Sequence, residues 1–339
     1  MTGRPMGKQA PAGQGTMAAC WYAHEVVGKT DRSVDLTGED IAELDRALLV
    51  AKRTQLPLLS VGQADFPLPA LAPRIARIAA DLDHQPGFFL VKGLPVHRYT
   101  EGDLRLVYWG LGRHLGVPVP QDATGHLLRP ADTSRGAFHT GGSDVTAILV
   151  GGRERTVSLT STGAVYNEVV LRRPDLALRL FDTFPVDRSG EQAPGERSHR
   201  SVPLGCWSEG KLSLRYDRRD LEGAQRHVDV PRLHRADIEL FDLIDEVAAS
   251  PILRHSIRLS AGDLLLVNNY NVLHRLKVPT VPDERLLRMW LTLRGGRSLP
   301  PSFTWPTPTY GDTGGRGGVT PCDAVHQAHR RPEKLAAAH

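Results

Sequence analysis

The chain has few cysteines and no long hydrophobic run. Its 339 residues include only three cysteines, Cys20, Cys206 and Cys322, which are widely spaced and form no zinc-binding pattern. We expect them to be reduced thiols in a cytoplasmic protein. No apolar stretch approaches the roughly 20 residues that a membrane-spanning helix needs. Residues 1–17 lack the apolar core of a signal peptide, so the sequence predicts neither secretion nor a membrane partner.

Neither positively nor negatively charged residues predominate in the chain. The 42 Lys and Arg residues nearly balance the 38 Asp and Glu residues, and no basic tract occurs. A net charge of +4 is too mild to indicate binding to a nucleic acid polymer. The sequence also contains no Gly-rich phosphate loop and no nucleophile elbow, so kinase and serine hydrolase functions have no support.

The pattern of apolar residues predicts one large domain between two polar ends. We expect a disordered leader over residues 1–18, a single domain over residues 19–304 and a Pro/Gly-rich tail over residues 305–339. Thr37 and Asp40 carry a helix-start signature, with apolar residues at helical spacing after them. Further helices are predicted over residues 72–82, 103–115, 165–183 and 235–249. Strands are predicted over residues 87–95, 145–150, 156–159, 212–216, 257–259, 263–268 and 287–294.

This alternation indicates a fold that is mainly β with helical insertions, in the α+β class. Many short strands separated by helices are typical of an antiparallel double-sheet roll with helices on its outside. The 40% hydrophobic content of 339 residues is sufficient for a sizeable core.

Two distant histidines are candidate metal ligands. Residues 138–144 read FHTGGSD, and residues 268–274 read NNYNVLH. His139 precedes a predicted strand, and His274 follows a few residues after another, so strand ends at one mouth of a roll could bring them together. With 14 histidines in the chain, the alternative is that both are structural or surface residues.

Arg288 is a candidate anion-binding residue. It interrupts the apolar strand that reads LRMWL, and an arginine in such a place requires a buried anionic partner. A planar guanidinium binds a carboxylate through two parallel hydrogen bonds. Arg288 is therefore a candidate for holding a dicarboxylate or keto acid.

These segments together resemble the TauD/clavaminate synthase-like family of Fe(II)/2-oxoglutarate-dependent oxygenases. The resemblance covers roughly residues 87–294 and includes GFFLVKG at 87–93, AVYNE at 164–168, LSLRY at 212–216 and GDLL at 262–265. It implies a double-stranded β-helix, the jelly-roll or cupin-like fold, with O2 as co-substrate. It also implies that His139 and His274 bind iron and that Arg288 holds the distal carboxylate of 2-oxoglutarate. Thr162, with Ser161 beside it, is the expected hydroxyl partner of that carboxylate.

Gly141 departs from the family pattern, which places an acidic residue two positions after the first histidine to complete a facial triad. Glycine at this position resembles the halogenating branch of the superfamily, in which chloride occupies the place of the carboxylate. Fe(II), two neutral imidazoles and dianionic 2-oxoglutarate are formally neutral together, so chloride restores the charge that a carboxylate ligand would add. Glycine leaves room for the halide, and its backbone N–H could face it.

Other interpretations of Gly141 remain open at the level of sequence. Asp144 could supply the missing ligand, although family members that carry the acid usually have this aspartate as well. Water could fill the open position of a hydroxylase, or the chain could be an inactive relative. A sensor that binds a small anion is a further possibility, and oxygen-dependent formation of succinate distinguishes an enzyme from such a sensor.

 The substrate is expected to be a free, anionic small molecule that is modified in the biosynthesis of a secondary metabolite such as an antibiotic. Arg215, Arg218 and Arg219 cluster around Tyr216, and these four residues are candidates for binding its carboxylate or phosphate. A nucleotide such as deoxyadenosine monophosphate (dAMP) is the first expectation and a free amino acid the second. The alternatives are a solvated charged turn and a substrate tethered to a carrier protein.

Overall fold

A computed structural model describes most of the chain, namely residues 20–28, 32–84, 86–131, 136–190, 192, 195–277, 285–304 and 316–321. The predicted leader over residues 1–18 and Cys322 lie outside the described residues, as does most of the predicted tail. No helix among the described residues is long and apolar enough to cross a membrane.

Helices and strands alternate along the described chain. The α-helices are α1 (Ala23–Val26), α2 (Gly38–Thr54), α3 (Leu71–Asp81), α4 (Glu101–Leu115), α5 (Thr162–Arg172), α6 (Pro174–Ala177), α7 (Arg218–Gly223) and α8 (Arg235–Ala249). Short 3-10 helices cover Leu58–Ser60, Val96–Arg98, Leu178–Phe181 and Ala224–Arg226. The strands are β1 (Ser33–Asp35), β2 (Phe88–Lys92), β3 (Val117–Val119), β4 (Leu128–Pro130), β5 (Val145–Val150), β6 (Arg155–Ser161), β7 (Thr183–Asp187), β8 (His199–Pro203), β9 (Gly205–Ser208), β10 (Lys211–Leu214), β11 (His255–Leu259), β12 (Leu264–Asn268), β13 (Val272–Leu276) and β14 (Leu286–Thr292).

Local sequence signals account for several helix ends. The Thr37 hydroxyl accepts the N–H of Asp40 at 3.2 Å, and the Asp40 carboxylate accepts the N–H of Thr37 at 2.9 Å. This capping box confirms the predicted start of α2. The predicted helix over residues 165–183 is instead divided into α5, α6 and a 3-10 turn, because Pro174 cannot donate a backbone hydrogen bond and begins a new helix.

Two sheets pack face to face and confirm the predicted jelly roll. The large sheet has the strand order β1-β2-β12-β5-β14-β3, with β4 also paired to β14. The small sheet has the order β11-β6-β13. Buried side chains of both sheets form one apolar layer between them, which includes Ile148 and Leu265 from the large sheet and Leu159 and Val272 from the small one.

Helices cover the outer faces of the roll. On the outside of the large sheet, Leu44 of α2 and Trp109 of α4 pack with Leu149 and Met289. A second group of helices, including α5 and α8, packs around Leu273 of β13. All six residues of β5 are therefore buried, which explains why its sequence is a continuous apolar run rather than an alternating one.

Strand β13 was not predicted, and it changes the setting of His274. The sequence placed this histidine a few residues after β12, whereas the structure places it in the middle of β13, opposite Leu159 of β6. Only a tight turn over residues 269–271 separates β12 from β13. The histidine is therefore held by a paired strand instead of a strand end.

Candidate active site

His139 and His274 lie side by side. The N–H of His139 donates to the carbonyl of His274 at 3.1 Å, and the N–H of His274 donates to the carbonyl of His139 at 2.9 Å. The centroids of the two rings are 4.6 Å apart. Both side chains are buried and line a cavity of about 410 Å³. The structure therefore brings together the two histidines that the sequence separates by 135 positions.

The orientation of His139 suits a metal ligand. Its Nδ1 atom lies 3.1 Å from the carbonyl oxygen of Ala137, which can only accept a hydrogen bond. Nδ1 must therefore carry the proton, and the lone pair lies on Nε2. A backbone carbonyl that fixes the tautomer in this way is the usual support of a metal-binding imidazole.

Gly141 lines the same cavity and adds no side-chain ligand. Among the described residues, no group of three or more His, Cys, Asp and Glu side chains could hold a metal ion. The part of the chain that the structure describes therefore offers a metal two imidazoles at this place. This donor set fits an iron whose remaining positions are filled by small molecules.

The surroundings of Gly141 are built closely around a glycine. An ideal Cβ atom at this position would lie 2.4 Å from the Thr146 hydroxyl and 2.8 Å from both polar atoms of the Asn269 amide. The N–H of Gly141 donates to Asn269 Oδ1 at 2.9 Å. The structure thus directs this N–H to Asn269, and the expectation that it faces a halide is corrected.

Asn269 fixes the whole loop that follows His139. Its Oδ1 also accepts the Thr146 hydroxyl at 3.0 Å, and its Nδ2 donates to the carbonyl of Ser143 at 2.9 Å. The side chain is fully buried. The sequence analysis did not select this residue, although it lies only five positions before His274 in the NNYNVLH segment.

Replacing Asn269 by alanine is expected to lower the free energy of unfolding by about 2–4 kcal/mol, because three buried hydrogen bonds lose their partner. Urea unfolding measures this change. The matched control is Asn167→Ala, since Asn167 is exposed on α5, where its amide donates to the Cys20 sulfur at 3.4 Å. Equal effects of the two substitutions would contradict the role given to Asn269.

Asp144 is engaged elsewhere and does not line the cavity. Its carboxylate accepts the Tyr270 hydroxyl at 2.8 Å and the N–H of Leu293 at 2.9 Å, and it pairs with Arg316 at 3.2 Å. The side chain is buried. These bonds hold the carboxylate in a structural role, so the geometry does not favour Asp144 as the missing metal ligand.

Arg288 lies at one end of the cavity and is oriented by Gln121. Arg288 Nε donates to Gln121 Oε1 at 2.7 Å, and Gln121 Nε2 donates back to the carbonyl of Arg288 at 3.0 Å. Arg129 lies opposite Arg288 in the pairing of β4 with β14, and both arginines line the cavity. Two guanidinium groups at one end of a cavity suit a carboxylate or another anion.

The structure does not bring Ser161 and Thr162 to the cavity. The Ser161 hydroxyl accepts the N–H of Ala164 at 3.2 Å and caps α5, while the Thr162 hydroxyl donates to the carbonyl of Tyr270 at 2.9 Å. Neither residue lines the cavity. The reason is that β6 ends here and α5 begins, so these hydroxyls satisfy backbone groups at the junction. The prediction that they help Arg288 to hold 2-oxoglutarate finds no geometric support.

The four predicted substrate residues separate into two groups. Arg215, Tyr216 and Arg219 line the cavity. Arg218 does not, because its guanidinium pairs with Glu222, Asp242 and Asp245 at 2.7–2.9 Å. The Tyr216 hydroxyl also points elsewhere, since it donates to Asp245 at 2.8 Å.

Arg215 is the most buried of the three arginines in this group. Its guanidinium carbon lies 4.6 Å from the Phe303 ring centroid and 5.8 Å from that of Tyr270. Burial lowers the pKa of this guanidinium, because a desolvated cation is less stable than a hydrated one. The two rings stabilise the cation, and its positive charge at the cavity wall favours an anion nearby.

The cavity as a whole has more basic than acidic side chains. Its lining includes four acidic residues, Asp187, Glu196, Asp217 and Asp220, and six arginines, Arg129, Arg188, Arg200, Arg215, Arg219 and Arg288. Some of these charges are paired inside the wall, as in the Arg188–Glu196 ion pair at 2.6 Å. The excess of arginine favours anionic molecules in the cavity.

Sequence comparison finds relatives along most of the chain. A sequence model of the taurine catabolism dioxygenase TauD, TfdA family matches residues 52–291. The FR-33289 synthase of Streptomyces rubellomurinus is 26% identical over 294 residues, covering 76% of this chain and 85% of that protein. The taurine hydroxylase-like protein SAT17 of Stachybotrys chartarum is 24% identical over 286 residues, covering 75% of this chain and 72% of that protein.

Solved structures share the fold. An asparagine oxygenase in complex with Fe(II), 2S,3S-3-hydroxyasparagine and succinate superimposes with a TM-score of 0.55 at 15% identity, covering 77% of this chain and 93% of that one. The non-heme iron oxygenase OrfP in complex with Fe superimposes with a TM-score of 0.52 at 17% identity and the same coverage. At these identities the likeness establishes the architecture alone.

Proposed function

The chain belongs to the taurine catabolism dioxygenase TauD, TfdA family, within the Fe(II)/2-oxoglutarate-dependent oxygenases, and on this premise we propose that it is a halogenase. It places chloride on an unactivated carbon of a freestanding small molecule in secondary-metabolite biosynthesis. The observation that carries the proposal is that position 141, which is acidic in the family pattern, is a glycine that lines the cavity together with His139 and His274.

His139 and His274 would hold the iron. They are adjacent, buried and open to the cavity, and the bond from His139 Nδ1 to the Ala137 carbonyl leaves Nε2 as the donor atom. When bound, iron and 2-oxoglutarate supply the oxidising chemistry with O2. The protein itself must orient the substrate carbon, hold the anions and limit the access of water.

Chloride fits the charge balance of a two-histidine site, although Thr146 and Asn269 fill the side-chain direction of Gly141 and correct the expectation that the glycine leaves room there. Two neutral imidazoles contribute no negative charge, so a halide supplies the single charge that a carboxylate ligand would bring. The arginine-rich cavity favours the entry of an anion. Asn269 and Thr146 occupy the direction of a side chain at position 141, so the chain has no carboxylate there and little room for one.

Arg288 would bind the distal carboxylate of 2-oxoglutarate, with Gln121 fixing the plane of its guanidinium. Gln121 is thus a positioning residue that the sequence analysis missed. Arg129, opposite Arg288, adds positive charge at the same end, although its Nη1 pairs with Asp122 at 2.7 Å.

Arg288→Ala is expected to raise the concentration of 2-oxoglutarate required for half-saturation at least about 10-fold, because a charge-assisted pair is lost. Anaerobic titration, followed by the visible absorption of the ferrous 2-oxoglutarate complex, measures this constant without any substrate. Arg258→Ala is the matched control, since Arg258 is an exposed strand arginine on β11. An unchanged requirement in Arg288→Ala would place the co-substrate elsewhere.

The substrate that the cavity favours is a free anionic small molecule. Arg215 and Arg219 are the candidates for its anionic group, because both line the cavity whereas Arg218 is bound to acidic side chains. A nucleotide such as dAMP is the first choice and a free amino acid the second. Turnover of carrier-bound thioesters alone would exclude both.

Mass spectrometry of the product tests the proposal. Protein purified without oxygen is given Fe(II), 2-oxoglutarate, chloride and a panel of nucleotides and amino acids, and oxygen is then admitted. A product with the two-isotope pattern of chlorine is expected. A product heavier by one oxygen and free of chlorine would make the chain a hydroxylase with an incomplete triad. Absence of oxygen-dependent succinate would indicate a binding protein without catalysis.

A further inference from the structure

The described residues 316–321, here termed the C-terminal strap, return to the cavity from outside the region that the family model matches. Gly318, Val319 and Thr320 line the cavity together with His139, Gly141 and Arg288. The match to the family ends at residue 291, so it includes the histidines and Arg288 but not the strap. Part of the cavity wall is therefore built by a segment beyond the region that the family model matches.

Backbone hydrogen bonds attach the strap on two sides. The N–H of Gly318 donates to the carbonyl of Gly142 at 2.7 Å, in the loop that follows His139. The N–H of Val319 donates to the carbonyl of Pro120 at 2.9 Å, next to Gln121. The strap thus joins the loop beside the two histidines to the segment that orients Arg288.

Two glycines allow this close contact. Gly317 and Gly318 have φ angles of +82° and +84°, which residues with a Cβ atom rarely adopt. A Cβ atom on Gly317 would lie 2.6 Å from the Cα of Ser143, and one on Gly318 would lie 2.9 Å from the Cβ of Val119. The strap therefore lies directly on the loop, with backbone against backbone.

Arg316 fastens the start of the strap. Its Nη2 pairs with the buried carboxylate of Asp144 at 3.2 Å, and its Nη1 donates to the carbonyl of Arg297 at 2.5 Å. The Thr292 hydroxyl donates to the carbonyl of Arg316. Because Asp144 is also bound by Tyr270 and by the N–H of Leu293, the strap is linked to the turn between β12 and β13.

We propose that the C-terminal strap is the substrate-selecting wall of the cavity, with Arg316 as its positioning residue and Val319 and Thr320 as specificity-determining residues. The strap contributes an apolar and a hydroxyl side chain to a wall that is otherwise rich in arginine. Val319 and Thr320 line the same cavity as Arg215 and Arg219, so a free anionic molecule held by either arginine would share that cavity with them. The inference rests on the proposed function only in requiring a small-molecule substrate in this cavity.

Hydrogen–deuterium exchange tests the attachment without any substrate. Arg316→Ala is expected to accelerate exchange at the amides of Gly318 and Val319 and in residues 141–144 at least about 10-fold, with strand β12 unchanged. Arg316→Lys should restore part of the protection. Arg235→Ala, which removes an exposed arginine from α8, is the matched control and should leave exchange in the strap unchanged. Unchanged exchange in Arg316→Ala would overturn the proposal.

Substitution of Val319 and Thr320 tests whether the strap selects the substrate. Val319→Ala and Thr320→Val are expected to change KM for the substrate found in the product assay at least about 5-fold, with half-saturation by 2-oxoglutarate unchanged within about 2-fold. If KM is unaffected, or if 2-oxoglutarate binding changes equally, the strap does not select the substrate. An oxygenated product with a strap-dependent KM would reject the halogenase while retaining the strap. A chlorinated product whose KM is unaffected by these substitutions would support the halogenase and reject the role of the strap.

Discussion

Replacing His139 or His274 by alanine is expected to lower the affinity for Fe(II) at least about 100-fold and to abolish iron-dependent turnover. The effect should be large because the described residues offer only two side-chain ligands at this place. The loss of one histidine leaves a single imidazole to bind the metal. In a site with a complete facial triad, two ligands would remain after the same substitution.

Competition with a chelator measures the affinity, and the fold must be monitored because both histidines are buried. His139→Gln and His274→Gln retain much of the side-chain volume and help to separate loss of iron from loss of stability. His97→Ala is the matched control, since His97 is exposed in the 3-10 helix Val96–Arg98. Retention of iron with full activity in either alanine variant would refute the ligand assignment.

Gly141→Asp is expected to eliminate chlorination and to lower the free energy of unfolding by about 1–3 kcal/mol. The carboxylate would compete for the position assigned to chloride. The new Cβ atom would also lie 2.4 Å from the Thr146 hydroxyl, so the bonds between Asn269 and the loop must shift. The structure therefore predicts that this single substitution yields a damaged site, with at most weak hydroxylation.

Two companion variants separate the steric effect from the ligand effect. Gly141→Ala adds the same Cβ atom without a carboxylate, so it should lower stability similarly without raising the affinity for Fe(II). Gly141→Asp combined with Thr146→Ala removes the nearest obstacle and should regain part of the stability. Product mass, iron affinity and urea unfolding distinguish these cases. Chlorination that persists in Gly141→Asp would contradict the chloride site.

The elements that local sequence determines were predicted well. Helix α8 and strand β5 have the predicted limits. The helix has apolar residues at a clear helical spacing, and the strand is apolar at every position except Thr146. The capping box at Thr37 was predicted for the same reason, since its two partners are three residues apart. Strand β13 was missed because it is only five residues long and contains His274 and Arg275.

Local sequence patterns could not predict the contacts that complete the site, because these contacts join residues that are far apart in the chain. Gln121 lies 167 positions before Arg288, and no spacing or motif links the two. Arg215 and Arg218 are only three positions apart, but Arg215 packs against Phe303 and Tyr270 whereas Arg218 pairs with acidic side chains of α7 and α8. The strap belongs to a Pro/Gly-rich region that gave no sign of contact with the loop at Gly142.

Iron K-edge X-ray absorption of the anaerobic protein with Fe(II), 2-oxoglutarate and bromide tests the central claim most directly. Bromide is a stronger scatterer than chloride and is readily distinguished from nitrogen and oxygen ligands. The account predicts a halide bound directly to iron in the wild-type protein and none in Gly141→Asp. A spectrum with nitrogen and oxygen neighbours alone, in the presence of saturating halide, would contradict the assignment of the open position to chloride.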